Sequence, residues 1–151
     1  MNAYQLLKED HQKVSGIFDK LEDTTDRAIK TREEEVARLK QELELHTHVE
    51  ETIFYPALKQ ALEEKQIVAH AYDEHKEAKQ LLQMLEGTPP NSELWEPTFQ
   101  KLRQSVEHHV DEEENKMFKQ AREVLTDEQA RELGERMAEE KKNAKQQGAS
   151  A

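Results

Sequence analysis

Two segments of the chain share one pattern, and this pattern restricts the fold more than any other feature. His46 is followed four residues later by Glu50, and His109 by Glu113, with a further glutamate and an apolar pair close behind each. On an α-helix, positions i and i+4 lie on one face, about 6 Å apart along the axis. An imidazole and a carboxylate on a buried face cost free energy unless they are compensated. The pattern therefore predicts two helices that hold metal ions between them.

Composition predicts an all-α protein with one main domain. The chain has 151 residues, enough to bury a core, and only 4 Gly and 4 Pro. Good helix formers such as Glu, Lys, Gln, Leu and Ala dominate. The formal net charge of -11 argues against nucleic acid and anionic membranes as partners. Most of this charge is expected on solvated helical surfaces.

The chain contains no cysteine. This excludes disulfides, thiolate-bound metals, iron–sulfur clusters and thiol catalysis, so any metal must use nitrogen and oxygen ligands. No apolar run approaches the roughly 20 residues needed to span a bilayer. A secretory signal has a basic region followed by an apolar segment, and the N-terminus shows no such pattern. We therefore expect a cytoplasmic protein.

Apolar periodicity predicts four long amphipathic helices and a short, mostly polar fifth. The long helices cover about residues 3–24, 28–64, 65–86 and 95–124. Pro56 predicts a kink in the second, and Thr126 with Gln129 resembles a capping box that opens the fifth. The pattern is typical of an up-down-up-down antiparallel four-helix bundle. Residues 1–125 would form it, and residues 126–151 the C-terminal helix with a frayed tail from Lys145.

Each long helix places one histidine on its apolar stripe, and two helices add a glutamate one turn further on. The candidate metal ligands are His11, His46, Glu50, His75, His109 and Glu113. In an antiparallel bundle all of them can reach one level of the core. Without a metal, that level would contain several uncompensated polar groups.

The other histidines are expected at the surface. His48 projects away from His46, and His70 falls outside the apolar stripe although it makes an i, i+4 pair with Glu74. His108 with Glu112 is an alternative to His109 with Glu113. The alignment of the apolar pair behind each motif, Phe54-Tyr55 with Met117-Phe118, favours the latter.

The donor set narrows the choice of metal. Six nitrogen and oxygen groups are too many for one tetrahedral zinc and too rich in imidazole for magnesium or calcium. Two carboxylates from opposed helices can bridge two ions, with imidazoles as terminal ligands. Iron fits best, and manganese is possible. The Glu-x-x-His motif of ferritin-like bundles and the His-Glu-x-x-His motif of zinc proteases are both missing from the sequence.

The ordered motifs resemble those of the hemerythrin family, whose bacterial form is often called the HHE cation-binding domain. The matching segments are Leu6-Leu7-Lys8-Glu9-Asp10-His11, His46-x-x-x-Glu50-Glu51-x-x-Phe54-Tyr55-Pro56, Glu74-His75 and His109-Val110-x-x-Glu113-Glu114. The resemblance covers roughly residues 1–125. It implies a four-helix bundle around two non-haem irons. The four histidines would be terminal ligands, and the two glutamates would bridge the irons together with an oxo or hydroxo group.

One departure from the family pattern concerns the third helix. Oxygen-carrying hemerythrins have a fifth histidine there, one turn from the first, whereas this chain has Ala71 and Lys79 one turn either side of His75. Coordination positions would thus stay open for water, substrate or another side chain. Glu74 could supply a third carboxylate, or be a partly exposed acid. Tyr72 could donate a hydrogen bond to the site, or pack at a helix contact.

The resemblance implies binding of O2, or of another small diatomic or peroxide ligand, at the iron centre. Open coordination positions favour a second hypothesis, di-iron redox activity: peroxide or nitric oxide turnover, or iron donation for repair. Any catalysis would be the metal's, so whether the protein is an enzyme is left open. A third hypothesis is a non-catalytic iron-binding module, and a purely structural bundle is the remaining alternative. The chain is expected to be a monomer or small homo-oligomer that uses an unidentified redox partner.

Overall fold

The computed structural model describes residues 1–150, with side chains described through residue 147. Its α-helices are α1 (Ala3–Glu22), α2 (Ile29–Val49), α3 (Tyr55–Ala61), α4 (Gln66–Glu86), α5 (Trp95–Glu112), α6 (Phe118–Val124) and α7 (Asp127–Ser150). Two π-helical turns, Glu50–Phe54 and Glu113–Met117, join α2 to α3 and α5 to α6 without a break. Residues 1–150 therefore fold into five helical rods, numbered in chain order, and the predicted helical bundle is confirmed.

A polar layer divides the interior of the bundle between two apolar clusters. One cluster includes Leu7 and Phe118, and the other includes Phe18 and Trp95. His11 lies one turn beyond Leu7 on α1 and belongs to the layer between them. The apolar clusters seal the layer from both ends of the bundle. Burying this much aliphatic and aromatic surface is the main driving force for the fold.

A π-helical turn lies next to Pro56, where the sequence predicts a kink, and a second π turn lies between α5 and α6. Pro56 has no N–H to donate to the preceding turn, so the hydrogen-bond ladder must change there. In the first π turn the Tyr55 N–H donates to the Glu50 carbonyl, and in the second the Phe118 N–H donates to the Glu113 carbonyl. Each turn is therefore wider by one residue than an α-helical turn. Such turns often occur at functional sites.

The second π turn also corrects the predicted inner face of the fourth rod. The apolar stripe that the sequence predicts for the fourth helix runs through Met117 to Val124, but Val124 is 37% exposed, whereas Phe118 and Ala121 are fully buried. An α-helical period of 3.6 residues carried through the extra residue places the later side chains on the wrong side. The π turn shifts the buried face accordingly.

Helix α7 is longer than the short helix that the sequence predicts. Its backbone is helical to Ser150, beyond the frayed start expected at Lys145, and Ala151 lies outside the described residues. The predicted capping box is present: the Gln129 N–H donates to Thr126 Oγ1, and the Thr126 N–H donates to the Gln129 side chain. This helix opens with its first turn fixed to the preceding loop.

Helix α7 packs against α1, α2 and the first π turn. Ala130, Leu133 and Met137 are its buried side chains in the apolar cluster nearest the N-terminus. Gly134 lets the helix approach the N-terminal backbone: a Cβ there would lie 2.8 Å from the Ala3 nitrogen. This contact needs glycine for space, not for backbone conformation. Among the described residues, no helix is long and apolar enough to cross a membrane.

Candidate metal centre

The structure brings the six sequence-predicted ligands together in the polar layer. All six are at most 7% exposed, and they come from four different rods. They form two adjoining groups of potential ligand atoms. The first is His11, His46, Glu50 and Glu113, and the second is Glu50, His75 and His109. Glu50 belongs to both groups, which is the position a bridging carboxylate takes.

Glu50 lies between two imidazoles that come from different rods. Its Oε1 is 3.0 Å from His46 Nε2 and 3.0 Å from His75 Nε2. The first contact is the i, i+4 pair predicted from the sequence, and the second crosses from α2 to α4. The i, i+4 spacing thus accounts for the contact of Glu50 with His46 but not for its contact with His75.

Glu113 occupies the matching position on the opposite rod. Its Oε1 is 3.1 Å from His11 Nε2, and its Oε2 is 3.2 Å from His109 Nε2. One oxygen therefore faces each group. Ions bound by oxygen and nitrogen at about 2.1 Å hold neighbouring octahedral ligands about 3.0 Å apart, and the contacts of both glutamates fall close to this spacing.

All four imidazoles use their other nitrogen in the same way. Each Nδ1 contacts a carboxylate on a different rod, and a carboxylate can only accept, so each Nδ1 carries the hydrogen. The pairs are His11 with Glu114 at 2.6 Å, His46 with Asp10 at 2.9 Å, His75 with Glu51 at 2.7 Å and His109 with Glu74 at 2.8 Å. A carboxylate on Nδ1 and a free Nε2 is the usual arrangement of metal-binding histidines.

The environment of Glu50 tests whether these residues suit a metal. Its side chain is fully buried, and neither carboxylate oxygen accepts a hydrogen bond. With the hydrogen on Nδ1, the Nε2 atoms of His46 and His75 present lone pairs towards the carboxylate. Acceptors facing one another in a buried layer repel unless a cation lies between them. The donor set therefore fits a bound cation.

The pKa values of two histidines show how strongly this layer favours positive charge. Burial lowers the pKa of His46, but Glu50 and Asp10 outweigh it and raise the value to about 10. Burial likewise lowers the pKa of His109, and Glu113 with Glu74 raises it to about 11. Protons would thus occupy the site when no metal is bound. Metal ions must displace these protons.

Three carboxylates of the layer, Asp10, Glu74 and Glu113, are held ionised. Burial raises the pKa of Asp10 and of Glu74, yet the imidazoles they contact lower each value below its ordinary range. Burial also raises the pKa of Glu113, but hydrogen bonds with the facing imidazoles of His109 and His11 help to hold the pKa well below its ordinary value. Buried ionised carboxylates are the hard anionic donors that divalent and trivalent ions prefer.

Tyr55 is a site residue that the sequence reasoning missed. Its hydroxyl donates to Glu113 Oε2 at 2.6 Å and lies 3.2 Å from His75 Nε2 and 3.4 Å from His109 Nε2. Burial, with Glu50 and Glu113 nearby, raises the pKa of this phenol well above its ordinary value. Five residues on from Glu50, a side chain would point about 140° away on an α-helix. The π turn brings it onto the same face.

The two side chains proposed to complete the site act elsewhere. Glu74 is buried and orients His109 through Nδ1, so it lies behind a ligand. The Tyr72 hydroxyl donates to the Glu51 carbonyl, and its ring packs edge-on against Tyr55. Tyr55, and not either of these two, places a polar atom beside the Nε2 atoms of His75 and His109. The available signal for the Nδ1 partners is an acid directly beside four of the six candidate ligands: His11, Glu50, His75 and Glu113.

The polar layer is bordered by a charged side chain of α7 and by a groove between α2 and α4. Lys141 from α7 contacts the carboxylate of Asp10, which in turn holds His46. A groove of about 520 Å³ between α2 and α4 has His75 and Glu51 among its lining residues. The fifth helix therefore adds a charged contact on one side of the layer, while the groove reaches it from another.

The chain belongs to the hemerythrin family, in the group described as the Hemerythrin HHE cation binding domain, whose family model matches residues 2–121. The resemblance seen in the motifs is thereby confirmed. Together with the buried His/Glu groups, the match identifies a metal-binding protein.

The chain is similar to proteins of Mycobacterium and Nostoc. It is 30% identical over 141 residues to an uncharacterized Mycobacterium tuberculosis protein, covering 91% of this chain and 84% of that one. A crystal structure of an HHE cation binding domain-containing protein from Mycobacterium kansasii superposes with a TM-score of 0.84 at 31% identity, covering 95% of this chain and 86% of that one. A DNA nickase of Nostoc is 29% identical over 129 residues, covering 85% of this chain but only 36% of the nickase.

Proposed function

We propose that the buried cluster holds two non-haem iron ions and that the protein binds O2, or another small diatomic or peroxide ligand, at this centre. The observation that most supports this proposal is the shared orientation of the four imidazoles, in which Nε2 points inward and Nδ1 contacts a carboxylate. The carboxylate of Glu50, which is fully buried and accepts no hydrogen bond, supports the same reading. A di-iron centre supplies reversible binding of small oxidants or their reduction.

Each residue of the cluster has a distinct role in this proposal. His11 and His46 would hold one iron, and His75 and His109 the other, because these pairs of rings lie 4.9 Å and 4.8 Å apart. The two glutamates would bridge them. Tyr55 is close only to the second pair, so the two irons would differ in surroundings. A proton or a bound ligand beside the second iron would be within reach of the phenol.

The proposal is tested by iron content and by visible spectra. Protein purified in air should contain two irons per chain, with an absorption that bleaches on reduction and returns as a distinct band when O2 is admitted. The variant Glu50→Gln should lose most of the iron, because an amide is a poor bridging ligand. Glu44→Gln, an exposed change on the same helix, is the matched control. A protein that contains no iron, or one zinc, contradicts the proposal.

Redox turnover is the second candidate, and the groove favours it. The first iron would have four protein ligands and the second five if Tyr55 binds, so positions remain for a substrate. The groove beside His75 and Glu51 offers a route for small molecules. Reoxidation that consumes O2 or peroxide catalytically, with no stable adduct band, would favour this candidate over reversible binding.

A further inference from the structure

A second pair of His-x-x-x-Glu motifs lies just outside the metal centre. His70 and Glu74 are one turn apart on α4, and His108 and Glu112 are one turn apart on α5. The two motifs meet on the same surface, where the imidazole side chains are 58% and 65% exposed. Neither histidine takes part in the buried layer. The pair thus repeats at the surface the side-chain chemistry of the centre.

His70, Glu74 and Glu112 each have a potential ligand atom within 4.8 Å of the other two, and His108 lies beside both carboxylates. Glu112 Oε2 is 3.3 Å from His70 Nε2, and Glu112 Oε1 is 3.1 Å from His108 Nε2. Glu74 Oε2 is 3.5 Å from His70 Nε2 and 3.7 Å from His108 Nε2. Each carboxylate therefore faces both imidazoles, and each imidazole faces both carboxylates.

These spacings fit a cation better than they fit hydrogen bonds. Contacts at 3.5 Å and 3.7 Å are too long for effective N–H···O bonds, which lie near 2.9 Å. A tetrahedral ion with bonds of about 2.05 Å separates its ligands by about 3.3 Å, in the middle of the observed range. Small adjustments of the two exposed imidazoles would complete such a geometry.

Glu74 gives this surface cluster one rigid ligand. Its side chain is only 10% exposed, and its Oε1 is occupied by His109 Nδ1 at 2.8 Å. The remaining oxygen, Oε2, is directed at the cluster. A carboxylate held in this way loses little conformational freedom when it binds an ion. An ordinary surface ion pair has no such fixed member.

We propose that His70, Glu74, His108 and Glu112 form an outer site for a divalent first-row cation such as Zn²⁺. Two imidazoles and two carboxylates form a nitrogen–oxygen set that suits zinc and its neighbours and suits magnesium or calcium poorly. Because the histidines are exposed, water completes the coordination and the ion exchanges with solvent. The site is independent of which metal the buried centre holds.

The test is a zinc titration of iron-loaded protein, followed by equilibrium dialysis. Wild-type protein should retain one more zinc per chain than H70Q/H108Q, whose zinc affinity at this site should fall at least tenfold. The control H48Q removes another exposed histidine, one that pairs with Glu140 at 2.9 Å, and should retain as much zinc as wild type. E112Q should reproduce the loss without changing either histidine.

Iron is counted on the same samples, which separates this proposal from the one for the buried centre. Loss of one zinc with unchanged iron supports the outer site, and it does so even if the buried metal proves not to be iron. Equal zinc retention by wild type, H70Q/H108Q and E112Q overturns the outer site. Equal loss from H48Q also overturns it, because the zinc would then be bound by surface histidines in general.

Discussion

The four Nδ1 contacts are the residue-scale feature that separates this layer from an ordinary buried polar network. Each imidazole has one nitrogen fixed by a carboxylate, so ring rotation and tautomer are both set before a metal arrives. Such partners typically contribute roughly 10- to 100-fold to metal affinity. In this chain an acid adjacent in sequence to a ligand always supplies the partner for a histidine on another rod, as Asp10 does for His46.

A first prediction concerns one of these partners. Glu51→Gln should weaken metal binding by roughly 10- to 100-fold, because the amide no longer holds a negative charge beside His75 Nδ1. Competition with a chelator of known affinity measures the change. Glu44→Gln on the same rod is exposed and should bind metal as wild type does. Equal affinities of the two variants would contradict a role for Glu51 in the site.

A second prediction concerns the buried phenol. Tyr55→Phe removes the hydroxyl that contacts Glu113 and faces the second pair of histidines. We expect the fold to persist, while one of the two metals dissociates at least tenfold faster than it does from the wild-type protein. Metal release is followed by absorbance after chelator is added.

Tyr72→Phe is the matched control for this change. Its hydroxyl contacts only the Glu51 carbonyl among the described contacts, so release should match wild type. If Tyr55→Phe releases both metals at the wild-type rate, the phenol is a packing residue and no ligand.

At the scale of elements, the π turns and α7 matter most. Each π turn begins at one of the two central glutamates of the polar layer, Glu50 or Glu113. The turn after Glu50 directs Tyr55 to the site, whereas the equivalent position after Glu113 is Phe118, which packs in the apolar cluster. The two halves of the bundle are therefore alike in their histidines and glutamates but different in this one residue, and this makes the centre asymmetric.

A third prediction uses two helical glycines in opposite surroundings. Gly134→Ala should destabilise the protein by about 1–3 kcal/mol, because its methyl group would meet the backbone of Met1 and Asn2. Gly16→Ala should stabilise it by about 0.5–1 kcal/mol, since a Cβ there has no neighbour within 4 Å. Denaturant unfolding measures both.

Hydrogen exchange locates the effect of Gly134→Ala. Faster exchange should be concentrated in α7 and the N-terminal turn of α1, because these are the surfaces that the methyl group separates. Unchanged exchange in α7 together with loss of stability elsewhere would show that the close approach of the two backbones is not the cause.

At the scale of the whole molecule, the buried layer makes stability depend on charge. A layer of carboxylates around four imidazoles must take up protons or metal ions to be neutralised. The apolar clusters on both sides keep water from doing so. Folding and cation binding are thus coupled, and a chelator should lower the melting temperature of the metal-bound protein.

A fourth prediction follows for the metal-free protein. The pKa of His46 is raised from 6.5 to about 10, and that of His109 to about 11. A raised pKa means that protonation stabilises the folded state below about pH 6.5 and that this stabilisation is lost as the pH rises through 10 to 11. The melting temperature of the metal-free protein should therefore fall between about pH 6.5 and about pH 11.

The metal-bound protein provides the comparison, because there the imidazoles hold metal instead of protons. Its melting temperature should change less between pH 6.5 and 10. Equal slopes with and without metal would contradict the idea that protons and metal ions compete for the same nitrogens.

Much of the architecture could be predicted because it depends on local spacing. Apolar positions three and four residues apart set the four rods, and Thr126 with Gln129 marks the start of α7. The same spacing singled out the six residues that meet in the polar layer. The fold and the family membership are confirmed, whereas iron, its small-molecule ligand, the cytoplasmic location and the oligomeric state stay predictions.

The amino-acid sequence by itself determined which side chains lie one turn apart, and hence the pairing of His46 with Glu50. Only the tertiary structure decided which carboxylate meets each Nδ1, since His11 and Glu114 are 103 residues apart. It also decided the place of Tyr55, because a π turn breaks the 3.6-residue period on which sequence reasoning depends. Helical periodicity is encoded between near neighbours, whereas these contacts arise from the packing of separate rods.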